Sequence, residues 1–291
     1  MWELQVKHSE VSYELWLLYI NSRCRLDEHL AAYERALSRL CNYGFANDGQ
    51  WIHRSTSILD LSLQMLYCFC VSGNSAKALQ RIRRLVYADG DSDESHSLLL
   101  SDILQCLTIS DKCVFWVCCV YLVIYRKLPD SLVQQLEFEK DISSIEWPSV
   151  DLQVDEKQLV SKLMEKAIDS VGLLTENISL ESSTLNLVHL FAVNHIKLSA
   201  AVDGVESCKI VLKKYQNLYS SCLDLIILSA RAHDFIGEST SLEKFEETVN
   251  KWPKNVSGSQ CIWNQYAEQV LKKGRPDKEK KIMDHWFQVS G

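Results

Sequence analysis

The sequence predicts an all-α chain, a right-handed solenoid of about seven helical hairpins. Three observations carry this. First, an aromatic signature recurs around three of the eight tryptophans: Trp16 with Tyr19 and then Tyr33-Glu34-Arg35-Ala36-Leu37, Phe115-Trp116 with Tyr121 and Tyr125, and Trp263 with Tyr266. A helix with Trp and Tyr three apart, followed by a second helix, cannot bury its apolar face alone and needs neighbours of its own kind. Second, four prolines and ten glycines in 291 residues leave long stretches free of helix breakers. Third, apolar residues recur at three- and four-residue spacing, and no stretch alternates long enough to argue for a sheet.

Taken in order, the first hairpin is expected over about 11–24 and 27–40, with Asp27 as the cap of its second helix and Asn42-Tyr43-Gly44 as its end. The second runs over 57–71, turns at Ser72-Gly73-Asn74 and returns over 75–87, with Ala78 and Ile82 as close-approach positions. After a solvated loop at 88–97, helices are expected over 98–107, 112–126 and 130–145, with Pro129 at the start of the last and Trp147-Pro148 after it. Residues 153–156 read as an exposed connector, which places the division between two subarrays, 1–150 and 151–291. Helices then follow over 156–174, 180–201, 205–217, 219–235 and 241–251, where Trp252-Pro253 ends the run, and the final hairpin is 261–273 with 276–288.

Composition narrows the function. Hydrophobic residues make up 47% of the chain, enough for a large core. The net charge of −7 disfavours nucleic-acid binding through overall charge and leaves only local basic faces for it. Eleven cysteines contain no Cys-x-x-Cys pair, which points to small buried hydrophobes in a reducing compartment. The first ten residues, with Glu3, Lys7, His8 and Glu10, do not read as a signal peptide. The most apolar run, Cys113 to Tyr125, is too short to cross a bilayer and suits a buried helix. No membrane association is expected, and the expected compartment is cytosolic (cytoplasmic) or nuclear.

Catalytic and metal motifs are not found: there is no Gly-x-Ser-x-Gly, His-Glu-x-x-His or phosphate-cradling glycine loop. His189 and His195 are six apart on one helix and fall on different faces. Asp89, Asp91 and Asp93 alternate as in a calcium loop, but Glu94 and Leu100 stand where that loop needs Gly and Glu. The expectation is a non-enzymatic chain with no cofactor and no metal.

Two basic clusters are candidates for an RNA or acidic-partner contact: Arg81, Arg83 and Arg84, and Lys272, Lys273, Arg275, Lys278, Lys280 and Lys281. The bland reading of each is a solvated face. Trp16, Tyr19, Tyr33, Ala36, Trp116, Tyr121, Trp147, Trp252, Trp263 and Tyr266 read as core markers of the repeat. Trp2 and Trp51 are not placed by periodicity and are candidate exposed anchors for a partner. The segment 1–10 offers no polar cap, so the first hairpin is open to docking on a further repeat or on a second copy in a homodimer.

Trp16-x-x-Tyr19 with Tyr33-Glu34-Arg35-Ala36-Leu37, and Trp263-x-x-Tyr266-x-Glu268, resemble the half-a-tetratricopeptide repeat found in RNA-processing scaffolds. Trp252-Pro253 is similar to that repeat's usual ending. Trp116 departs from it, with Tyr121 five residues on, and Met283-Asp284-His285-Trp286 stands where Tyr-Glu-Arg-Ala is expected. The runs Glu14 to Ser22, Asp111 to Tyr121 and Ile145 to Ser149 also resemble the C-terminal helical region of plant CCCH zinc-finger scaffolds of the nuclear exosome-targeting type. That resemblance implies a piece of a longer protein, and a partner-binding or self-association role linked to nuclear RNA processing or decay.

Overall fold

The computed structural model describes residues 13–42, 51–87, 100–133, 145–172, 182–218, 225, 242, 246, 249–250, 259–272 and 274–290. These residues form twelve α-helices and no strand. They are α1 (Tyr13–Asn21), α2 (Leu26–Asn42), α3 (Trp51–Val71), α4 (Ser75–Arg83), α5 (Leu100–Gln105), α6 (Ile109–Tyr125), α7 (Asp130–Val133), α8 (Val154–Val171), α9 (Ser182–Asp203), α10 (Val205–Leu218), α11 (Ser259–Lys272) and α12 (Pro276–Ser290). The chain divides into two compact units, Met1–Asn194 and His195–Gly291. Residues 150 and 151, where the sequence placed a division, lie within the first unit, between two helices that pack on each other, α6 and α8.

In the first unit α1 buries Trp16, Tyr19 and Ile20 against α2, which answers with Ala32, Tyr33, Ala36, Leu37 and Leu40 at helical spacing. Ala32 and Ala36 are fully buried, so small side chains let the two helices approach. Trp16 meets Tyr19 edge to face at 5.8 Å. Asp27 does not cap α2. The helix already starts at Leu26, and Asp27 sits in its first turn, where its charge suits the helix dipole and pairs with Arg25 at 3.1 Å.

α3 packs on α2 and on α4. It starts at Trp51, six residues before the apolar periodicity does. Tertiary contacts extend it through this polar stretch: Ser55 is fully buried, accepts from the Thr108 backbone N–H at 2.7 Å and donates to the Asp111 carboxylate. At its other end Gly73 takes φ +75°. The Asn74 N–H then donates to the Phe69 carbonyl and the Gly73 N–H to that of Cys70, the Schellman closure of a helix. α4 buries Ala78 and Ile82 and stops at Arg83 rather than continuing to Tyr87. Tight turns carry residues 84–87, and the Tyr87 ring lies 4.5 Å from the Lys162 ammonium of α8.

α6 is the centre of this unit. All residues from Cys113 to Ile124 are buried, because α3, α4 and α8 all pack on it. Thr108 caps it by accepting from the Asp111 N–H, so it starts at Ile109 rather than Lys112. Arg126 closes it in the left-handed region, φ +60°, and pairs with Glu156 of α8. The expected helix 130–145 is seen as α7 over Asp130–Val133, and 134–144 lie outside the described residues. Residues 145–153 are not helical. Here Trp147 sits against Tyr121 at 5.2 Å and donates its indole N–H to Asn194 Oδ1 at 2.9 Å. The expected connector at 153–156 is instead the cap and first turn of α8: the Gln153 N–H donates to the Glu156 carboxylate at 3.3 Å.

In the second unit α10 buries Cys208, Leu212 and Tyr215. His195, on α9, is half-buried with its Nδ1 2.8 Å from the Tyr215 hydroxyl. Farther along, Trp263 and Tyr266 of α11 meet edge to face at 6.0 Å, in the geometry of Trp16 and Tyr19, within a core with Leu242, Val249, Val270 and Ile282. The turn at Gly274, φ +58°, closes α11 as Gly73 closes α3, with the Arg275 N–H on the Val270 carbonyl. The expected helices 219–235 and 241–251 fall largely outside the described residues.

Burial first, and the Lys214 charge second, push the His195 imidazole down to about 4. Below its ordinary value of 6.5 the unfolded chain binds a proton that the folded one refuses. Stability is therefore complete above pH 6.5 and is lost as pH falls toward 4, by about 2 kcal/mol at pH 5. Urea unfolding at pH 7 and pH 5 checks this: a His195→Gln chain should lose less between the two than the wild type. Equal losses would mean that other groups carry the acid sensitivity.

Candidate interaction surfaces

The structure disperses the first basic cluster. Successive helical residues turn by 100°, so Arg81 and Arg83 face opposite ways on α4. Arg81 points inward, with a side chain 18% exposed. It pairs with Glu34, the glutamate of the Tyr-Glu-Arg-Ala signature on α2, and its guanidinium lies 5.1 Å from the Phe69 ring. One Arg81 nitrogen is also 3.8 Å from Met65 Sδ. Arg84 is half-buried, and Arg83 is exposed.

The second cluster is largely neutralised by its own chain. Lys272 pairs with Glu268 at 2.8 Å, one helical turn back, and Arg275 with Asp277 at 3.0 Å. Lys278 and Lys281 both hold Glu246, the latter at 2.9 Å, and their hydrogen bonds keep that carboxyl below its ordinary range. Lys280 is exposed. Trp2, Trp252, Lys273, Asp89, Asp91 and Asp93, together with the side chain of Trp51, lie outside the described residues. Among the markers, Trp16, Tyr19, Tyr33, Ala36, Trp116, Tyr121, Trp263 and Tyr266 are buried and Trp147 is half-buried.

Periodicity alone did not point to two polar networks that tie helices together. Tyr13 of α1 and Gln64 of α3 both donate to the buried Asp60 carboxylate, the latter at 2.7 Å, and Tyr33 of α2 donates to Gln64 Oε1 at 3.1 Å. Ser55 of α3 and Thr108 both donate to Asp111 at the start of α6. The legible signal was a lone Asp inside Ile58-Leu59-Asp60-Leu61. A carboxylate in an apolar run needs buried donors.

Among the described residues no group of three or more His, Cys, Asp or Glu side chains is placed to hold a metal ion, and no helix is long and apolar enough to cross a membrane. Compared with family models, curated proteins and solved structures, the chain matches none of them.

Proposed function

We propose that this chain is a non-enzymatic scaffold: a right-handed α-solenoid of hairpins that presents its surface to a protein partner in nuclear RNA processing or decay. The observation that carries the scaffold reading is where the signature side chains go. Tyr33 and Glu34, from the second helix of the first hairpin, reach Gln64 and Arg81, on the two helices of the next. Side chains that join consecutive hairpins are what a stacked array requires. The serial packing of α1 on α2, α2 on α3, α3 on α6 and α6 on α8 supports the same reading. The nuclear and RNA context rests on the resemblance of the runs 14–22, 111–121 and 145–149.

Direct RNA binding is weakened as an alternative by the internal pairing of Arg81, Lys272, Arg275, Lys278 and Lys281. Light scattering on the purified chain, with and without a short poly(A) RNA, tests this, alongside crosslinking and capture from nuclear extract. The expected result is a mass unchanged by RNA and recovery of RNA-decay components. A mass increase with RNA that disappears in high salt and in Arg83→Glu/Lys280→Glu would replace the scaffold with an RNA-binding module. A concentration-independent dimer that recovers no RNA-decay component would replace it with a self-association domain.

A further inference from the structure

Cys41 lies in the last turn of α2, and Cys106 follows α5, which packs on α2. The two are 65 residues apart in the chain, yet Cys106 Sγ lies 3.7 Å from the Cys41 carbonyl oxygen, and the Cys106 thiol is close enough to raise the Cys41 thiol electrostatically. Both are half-buried, whereas Cys113, Cys118, Cys119 and Cys208 are buried. A small oxidant therefore has access to this pair that it lacks to those four. We propose that Cys41 and Cys106 are a redox modification site, closing to a reversible disulfide that staples the end of α2 to α5 when the chain meets a peroxide. The enclosed loop contains all of α3 and α4, so the staple encircles the second hairpin.

The chemistry balances with one hydroperoxide. The Cys106 thiolate attacks a peroxide oxygen, the O–O bond breaks, and the leaving hydroxide takes up a proton as water. Cys41 then attacks the resulting sulfenic sulfur: the S–S bond forms, the S–O bond breaks, and the thiol proton leaves with the hydroxyl as a second water. The two sulfurs together lose the two electrons that the peroxide gains. Burial raises the Cys41 thiol above its ordinary value, so Cys41 stays protonated while Cys106 makes the first attack and gives up its proton only as the S–S bond forms.

The test uses the full chain treated with stoichiometric hydrogen peroxide, alkylated and digested with trypsin without reduction. Cys41 and Cys106 fall in separate tryptic peptides, 40–54 and 85–112, with one cysteine in each. A linked peptide two hydrogens lighter than their sum is the expected main crosslink. It should survive in Cys24→Ser, vanish in Cys106→Ser, and bring a rise in Tm of about 5 °C that dithiothreitol reverses. Absence of the linked peptide from oxidised wild-type chain, or crosslinks scattered over Cys24, Cys68 and Cys70, would overturn the proposal even if Cys106→Ser fails to fold.

Discussion

Replacing Trp116 by alanine should cost roughly 3–5 kcal/mol and unfold the first unit at moderate temperature, whereas Trp116→Phe should cost about 1 kcal/mol. Trp116 is 2% exposed, and its neighbour Phe115 is fully buried. The residues from Cys113 to Ile124 are buried without a break, so α6 has no solvent-facing side toward which neighbours could relax to fill the cavity. α3, α4 and α8 all lean on this helix, and a void here weakens the contacts of three others. Phenylalanine separates shape from polarity. The indole N–H has no hydrogen-bond partner among the described residues, so an all-carbon ring sacrifices volume but no bond. Urea unfolding followed by circular dichroism checks both variants. An alanine chain within 1 kcal/mol of wild type would remove α6 from the centre of the fold, and a phenylalanine chain as weak as alanine would mean that the indole N–H matters.

The helices were legible because their signals are local. Trp16 with Tyr19, the turn at Gly73, Ala78 on the short return helix, and Trp263 with Tyr266 are each set by three- or four-residue spacing or by one glycine, and the structure realises them in the expected places. The missed boundaries have non-local causes. α3 continues back to Trp51 because residues 108 and 111 take up the Ser55 hydroxyl. Residues 153–156 join α8 because Glu156 meets both the Gln153 N–H and Arg126, the latter thirty residues away in the chain. Spacing of apolar residues carries no record of such contacts.

The basic clusters show the same limit for candidate surfaces. Their charge was plain in sequence, but their acid partners were not: Glu34 and Glu246 lie 47 and 32 residues from the arginine and lysine that they hold. Helical geometry alone separates Arg81 from Arg83, since residues two apart do not face the same way. Locating Glu246 beside both Lys278 and Lys281 required the tertiary structure. A cation whose charge is already matched inside the chain contributes little to steering toward RNA.

Asp60 is where the second large effect is expected, and it tests how the hairpins are joined. Its carboxylate is buried and accepts from Tyr13 on α1 and Gln64 within α3, while Gln64 in turn takes the Tyr33 hydroxyl of α2. Asp60→Ala leaves the half-buried Tyr13 and Gln64 donors without their acceptor and opens a gap at a buried position, and should cost about 2 kcal/mol. Asp60→Asn keeps an oxygen in place and should cost nearer 1 kcal/mol. An alkaline titration separates the two states of the network. Burial first, and the hydrogen bond to Asp60 second, hold the Tyr13 hydroxyl well above its ordinary 10. Above pH 10 the unfolded chain sheds this proton while the folded one keeps it, so the folded state loses stability as pH rises beyond 10. In Asp60→Asn the charge on the acceptor is gone, and the Tyr13 step in tyrosine absorbance should move back toward 10. A step that stays where it is in wild type would assign the shift to burial alone and take Asp60 out of the join between α1 and α3. A step that moves, together with the expected stability loss, would make the Asp60 carboxylate a polar tie between α1 and α3, beside the Tyr33–Gln64 and Glu34–Arg81 contacts from α2.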